Sequence, residues 1–285
     1  MKRRYHDVRG IRMHWREAGK GPPVVMVHGI ATSPSLWRYV MPHIMNAHCL
    51  AWEMVGYGGS IPQGRDLDLS AARQADYLIE WFKTLRIKRA VLVGHGLGGG
   101  VVQIAAKNSP TVCAGLVLIN SVGYDNWPTA DVKFARRFPG LIGRMPESAF
   151  RFFFRRLLRM GHVDRHRAAQ AFEVHWPYYA RYGARAFVQQ ARYLDLRDTR
   201  ELIPVLRNLN VPVSVIWGAR DRQFPAHYGF RFARDLDATF HYILKSRHFV
   251  PEDHPEVVAD AINHVLAQVY DGAHPRQREL RHRYG

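Results

Sequence analysis

Cysteine is scarce in this chain: Cys49 and Cys113 are the only two among 285 residues. Two thiols cannot staple a chain of this length, so a disulfide framework is excluded and a reducing cytoplasm is the expected setting. Both are expected to act as small buried hydrophobes. Apolar runs of about 18 residues, the length a membrane-spanning helix needs, are also missing. The opening residues Met1-Lys2-Arg3-Arg4-Tyr5-His6-Asp7 lack the apolar centre of a secretory signal. Acidic residues are the minority, 24 against 41 Lys plus Arg, for a net charge of +17. That balance favours weak contact of a basic face with anionic surfaces. No helix-turn-helix, zinc-finger or RNP pattern accompanies it, so nucleic acid is not an expected partner. No internal repeat is visible.

What is present suits one large α/β domain with an insertion, since 47% of the residues are hydrophobic and strand and helix patterns alternate. Arg4 to Val8 and Ile11 to Glu17 alternate around Arg9-Gly10 and predict an opening hairpin. Pro23 to Val27 predicts a buried strand that stops at His28-Gly29-Ile30. Ser33-Pro34 starts an expected helix with Leu36, Trp37, Val40, Met41 and Ile44 on one face. A short strand over Cys49 to Glu53, a helix over Ser70 to Leu85 and a strand over Gly115 to Ile119 follow the same logic. From about Gly123 the alternation breaks, and the pattern becomes helical, aromatic and Arg-rich. Phe150, Phe153, Phe154, Leu157 and Leu158 form one stripe, which suits either a packed lid helix or a membrane-surface helix. Asp198-Thr199-Arg200-Glu201 resembles a capping box before a short helix. A strand over Val213 to Trp217, a helix from Pro225, a strand over Phe240 to Leu244 and a last helix after Asp253-His254-Pro255-Glu256 complete the chain. The expected division is a core of residues 1–122 and 198–271, a helical lid of 123–197, and a disordered basic tail of 272–285.

The stretch organising the chain is Val91-Leu92-Val93-Gly94-His95-Gly96-Leu97-Gly98-Gly99-Gly100. A buried strand runs into a tight turn and then into a Gly/Ala-rich helix. Gly-x-Nu-x-Gly at such a turn is a nucleophile elbow, whose central side chain attacks substrate. Here the centre is Gly96, which has no side chain to attack with. The same letters spell G-x-G-x-x-G through Gly94, Gly96 and Gly99, a dinucleotide-binding turn. That alternative needs a carboxylate about 20 residues on, and the next strand ends in Asn120-Ser121 instead.

Open α/β sheets build their sites at the C-terminal ends of strands. Three such ends carry Gly96, Asp221 and His248, in the chain order nucleophile, acid, histidine. His28-Gly29, Glu53-Met54-Val55-Gly56-Tyr57-Gly58-Gly59-Ser60, Gly218-Ala219-Arg220-Asp221 and His248-Phe249-Val250 stand at matching intervals. Over nearly its whole length the chain resembles the α/β-hydrolase superfamily. The elbow and Asn120-Ser121-Val122-Gly123-Tyr124-Asp125-Asn126-Trp127-Pro128 look most like the epoxide hydrolase and haloalkane dehalogenase branch, with serine esterases and C–C hydrolases a close second. Glu53 stands where that family usually has Asp, and Leu97 stands where dehalogenases commonly have a halide-binding Trp.

The resemblance implies an α/β-hydrolase fold, a small apolar substrate held under a lid, and no cofactor or metal. It assigns His248 as general base oriented by Asp221, and the backbone N–H groups of Ile30 and Leu97 as oxyanion donors. Trp37, Trp127, Tyr178 and Tyr179 are the expected substrate contacts, with Tyr182 and Tyr193 as further lid tyrosines. Asp125 is a less favoured alternative acid. Ser33, Ser121 and Cys113 are the nearest substitutes for the missing nucleophile, each with an easy structural role instead. Three functions remain open: a hydrolase whose covalent step was lost by nature or by engineering, a hydrolase in which His248 and Asp221 activate water directly, and a ligand-binding or scaffold protein of the same fold.

Overall fold

Strands β5 (Ala90–His95) and β6 (Cys113–Ile119) are buried at every residue, which requires cover on both faces of the sheet they share. In the computed structural model, which describes residues 1–270, they lie at the centre of an eight-stranded sheet. The expected tail of 272–285 lies outside the described residues. The other strands are β1 (Lys2–Val8), β2 (Ile11–Ala18), β3 (Pro23–Val27), β4 (His48–Trp52), β7 (Val213–Gly218) and β8 (Thr239–Ile243), in the order β1-β2-β4-β3-β5-β6-β7-β8. Every pairing is parallel except those of β2 with β1 and β4, so β2 alone runs against the rest. The edge strand β1 is exposed except at Val8, whereas β3, β4, β5 and β6 carry the Val, Leu and Ile runs of a doubly covered parallel sheet.

Helix α1 (Ala71–Thr84) is capped by the Ser70 side chain, which accepts from Arg73 N–H, and it buries Ala75, Leu78 and Phe82 as its spacing predicts. It packs beside α2 (Leu97–Asn108), which rests on β3, β5 and β6. Between β6 and β7 the chain builds helices alone: α3 (Ala130–Arg137), α4 (Pro139–Gly143), α5 (Glu147–Gly161), α6 (Arg165–Ala180), α7 (Ala184–Arg192) and the short α8 (Ile203–Arg207). Then come α9 (His227–Leu236), α10 (Val250–Asp253) and α11 (Pro255–Tyr270), the last packed on β5, β6 and β7.

Two local expectations are corrected. The segment after Ser33 is not one helix but two 3-10 turns, Pro34–Trp37 and Met41–His43. Pro34 and Pro42 each open a turn, and Pro42 removes a donor that a continuous helix would need. Asp198 does not cap the helix that follows it; its carboxylate accepts from Ala72 N–H at the start of α1, and α8 begins later with no side-chain cap. Of the two readings of the α5 aromatic stripe, the packed one is observed. Phe150, Phe154 and Leu158 are fully buried against Phe172, Trp176, Tyr179 and Phe187.

Candidate active site

The turn between β5 and α2 is sharp because two glycines, Gly94 and Gly98, let backbones touch. A Cβ on Gly94 would lie 2.5 Å from Gly98 O, and one on Gly98 would lie 2.2 Å from Val27 O, so α2 could not seat against β3 with any larger residue there. Gly96 sits at the tip with φ +55 and ψ −123, a conformation costly for any side chain. Its N–H donates to Ile119 O at 3.2 Å, and its carbonyl accepts from Gly99 N–H and Val122 N–H. Of the G-x-G-x-x-G glycines, Gly94 is spent on close approach to Gly98 and Gly99, and Gly99 on packing against Ser121.

The structure brings Gly96, Asp221 and His248 together, although they lie 125 and 27 residues apart along the chain (221 − 96 and 248 − 221). Asp221 follows β7, and its Oδ2 accepts from His248 Nδ1 at 2.9 Å and from Asn120 Nδ2 at 2.6 Å. Its Oδ1 accepts from the N–H groups of Gln223 and Phe224, which fix the carboxylate plane. Burial would raise the Asp221 pKa, but the charge and hydrogen bond of His248 outweigh it and hold the carboxyl below its ordinary range. With Nδ1 turned to Asp221, Nε2 is the ring nitrogen that faces the elbow. That atom lies 3.6 Å from where a Cβ on Gly96 would stand. The same Cβ would clear Gly29 Cα by 3.5 Å, so the site has room for the side chain it lacks.

Gly96, His248, Ile30, Leu97 and Trp127 all line one cavity of about 30 Å³, closed further by Val132, Leu157, Leu194 and Phe249. A space of that size holds about one water. Trp37, Tyr178 and Tyr179 lie outside its wall. Trp37 is fully buried in the core, and Tyr179 turns inward to donate to Gln190 Oε1 at 2.7 Å. Tyr182 and Tyr193 do not reach the cavity either. Spacing along the sequence gives the face of a helix, not which face meets the hollow.

The candidate replacements for the nucleophile are tied down elsewhere. Ser33 Oγ pairs with His175 Nδ1 at 3.1 Å, and Ser121 Oγ donates to Val122 O at 2.9 Å. Burial pushes the Cys113 thiol up to about 12, and Asp125 accepts from Tyr228 OH rather than from a histidine.

Several supporting residues were given no role of their own from sequence. His95, beside the tip, is fully buried and donates through Nε2 to the His248 carbonyl at 3.0 Å. Burial and the neighbouring His248 push its pKa down to about 3, which keeps it neutral. His28 bonds Gly29 O through Nδ1 and accepts from Met54 N–H through Nε2, and burial lowers it to about 4. Asn120, which holds Asp221, sits at φ +39, a strained position for a side-chain-bearing residue. The one sequence signal for it was a polar residue ending a fully apolar strand.

The helical segment grips the histidine loop directly. Phe249 N–H donates to Gly161 O at 3.0 Å and Arg247 to His162 O at 3.0 Å, while the Phe249 and His162 rings stack at 4.6 Å. Behind them lies a second buried carboxylate–imidazole pair: His162 Nε2 meets Glu252 Oε2 at 2.9 Å, and Arg38 pairs with Oε1. Burial alone would lower His162, but the Glu252 hydrogen bond and charge raise it. Burial alone would raise Glu252, but its hydrogen bond with His162 and the charges of His162 and Arg38 bring it to about 2.

An open sheet with one reversed strand, a glycine-flanked turn after its fifth strand and an acid–histidine pair over that turn define an α/β hydrolase. The profile of the Alpha/beta hydrolase family matches residues 24–261, and the chain belongs to that family. It is 27% identical over 259 residues to the uncharacterized hydrolase YugF of Bacillus subtilis, covering 87% of this chain and 91% of that one. It is 28% identical over 278 residues to haloalkane dehalogenase 2 of Mycobacterium tuberculosis, covering 91% and 93%. An α/β hydrolase fold protein from Burkholderia ambifaria superposes with a TM-score of 0.81 at 22% identity, covering 91% of this chain and 96% of that one.

Proposed function

We propose that this chain is a lidded hydrolase of small apolar substrates in which His248, oriented by Asp221, activates water directly over the bare elbow. The observation that carries the reading is His248 Nε2 facing the vacant side-chain position of Gly96 at 3.6 Å, with Nδ1 held by Asp221 at 2.9 Å. In the proposed step Nε2 takes a proton from the water, and the hydroxide adds to an electrophilic carbon of an ester or epoxide. The N–H groups of Ile30 and Leu97, which line the same cavity, receive the oxygen that gains charge. The proton then passes from His248 to the departing oxygen. Trp127, Val132, Leu157 and Leu194 make an apolar wall, so the substrate is small and apolar. The helices between β6 and β7 act as the lid, and they must shift to admit anything larger than water.

Likeness to haloalkane dehalogenases supports carbon electrophiles in general. Leu97, where those enzymes commonly place a halide-binding Trp, favours esters and epoxides over halides. The second reading, a ligand-binding protein that has shed its chemistry, is favoured by Gly96 itself. The test compares the chain, Gly96→Ser, Gly96→Asp and His248→Ala on panels of activated esters, epoxides and haloalkanes. Water activation predicts turnover by the unaltered chain that His248→Ala abolishes. Turnover that survives His248→Ala overturns it, and an inert chain that Gly96→Ser or Gly96→Asp revives means that only the covalent step is missing. Inert variants throughout leave ligand binding.

A further inference from the structure

Five arginines, Arg65, Arg136, Arg144, Arg185 and Arg192, line one cleft of about 730 Å³ in the helical segment, with no Asp or Glu in its wall. Arg136 is engaged with Leu194 O and reaches Asp195 at 3.9 Å, and Arg192 lies over the Tyr193 ring. The side chains of Arg65, Arg144 and Arg185 have no ion pair or hydrogen bond among the described residues. Three like charges without counter-charges repel one another, and the repulsion falls when an anion enters.

The same cleft borders an apolar edge. Its wall includes Ala135, Pro139, Gly140 and Gly143 from α3 and α4, and those two helices also present Phe134 at 48%, Phe138 at 43% and Leu141 at 67% exposure. The Phe134 and Phe138 rings lie 5.1 Å apart, so they form one patch, and the Arg137 guanidinium lies over Phe138. These residues are distinct from the buried α5 stripe. A free phosphate would satisfy the arginines and leave this patch in water. An occupant with anionic groups at one level and hydrocarbon just beneath satisfies both.

We propose that the α3–α4 edge docks on an anionic phospholipid surface, its arginines on headgroup phosphates and Phe134, Phe138 and Leu141 at the acyl boundary. The contact is peripheral, since no helix among the described residues is long and apolar enough to cross a membrane. It does not depend on the hydrolytic reading, because neither the cleft nor the patch includes Gly96, Asp221 or His248.

The test is co-sedimentation of the full chain with vesicles of phosphatidylcholine alone and of phosphatidylcholine with phosphatidylglycerol. Binding is expected with the anionic vesicles only, and it weakens as salt rises. Arg144→Ala and Arg185→Ala each lower the partition about five-fold and together about 30-fold, since each cation near such a surface contributes about 1 kcal/mol. Leu141→Ser weakens binding with charge unchanged. Circular dichroism shows that the variants remain folded. Absence of vesicle binding, equal binding to both vesicles, or variants that bind like the parent overturns the proposal. So does calorimetric binding of inorganic phosphate, or retention of duplex RNA, by a chain that ignores vesicles.

Discussion

Two carboxylate–imidazole pairs of the same length, 2.9 Å, lie a few residues apart in this molecule: Asp221 with His248, and Glu252 with His162. They differ in what the second ring nitrogen meets. His162 is satisfied on both sides, its Nδ1 bonded to Leu158 O at 2.7 Å, and the pair is sealed at zero exposure with Arg38 alongside. His248 gives Nδ1 to Asp221 and turns Nε2 to the cavity over Gly96. A histidine with no spare nitrogen is a rivet. One with a spare nitrogen and a hollow in front of it is free to accept a proton. The pairing distance alone does not tell them apart.

The comparison breaks hardest at Asp221. In Asp221→Asn the amide donates to Nδ1, the proton moves to Nε2, and the base is lost. Under the proposed function, hydrolysis falls by about 10³–10⁴-fold while the melting curve changes little, as steady-state rates and calorimetry will read. A variant as active as the parent would remove His248 from the mechanism. Next comes Glu252→Ala, which leaves Arg38 and His162 buried without their anion. A loss of about 3–5 kcal/mol is expected in urea unfolding; a loss under about 1 kcal/mol would show that the cluster is not a rivet.

Acid sharpens the contrast. His28, His95 and His175 are held neutral by burial, at about 4, 3 and 3, against an ordinary value near 6.5. Below 6.5 the unfolded chain takes up about three protons that the folded chain refuses, so stability falls as pH drops. The expected slope is about 4 kcal/mol per pH unit between roughly pH 6 and 5, measured by urea midpoints. The depressed Glu252 extends the loss below about pH 4. His162, raised, has the opposite sign: its contribution is complete below 6.5 and fades as pH rises through its folded value. A flat profile from pH 7 to 5 would show that these imidazoles are charged in the folded state. The smallest effect is Gly96→Ala. The cavity accepts its Cβ, and only the strained φ of +55 opposes it, so a loss of about 1–3 kcal/mol is expected by thermal melts.

The sequence carried the class of fold and the residues over the elbow because both rest on order and spacing. Alternating apolar runs fixed the strands, and Gly96, Asp221 and His248 stand at strand ends that a parallel sheet gathers at one edge. What it did not carry was direction. Tyr178 and Tyr179 share a helix with Trp176, and nothing in their spacing says that Tyr179 turns to Gln190 rather than to the cavity. The second pair was equally hidden, since Glu252 and His162 lie 90 residues apart in the chain. Asp198 misled for a related reason: its partner is Ala72, an end of a different helix that folding brings alongside.

The hold of Gly161 and His162 on Phe249 and Arg247 has a mechanical consequence. A Cβ on Gly161 would sit 2.5 Å from the Phe249 ring, so the two segments are in contact with nothing between them. Any swing of α5 that widens the entrance must therefore drag on the two residues flanking His248. On the proposed function, admission and proton transfer are therefore geared to each other: the imidazole regains its aim only once the door has shut behind the guest.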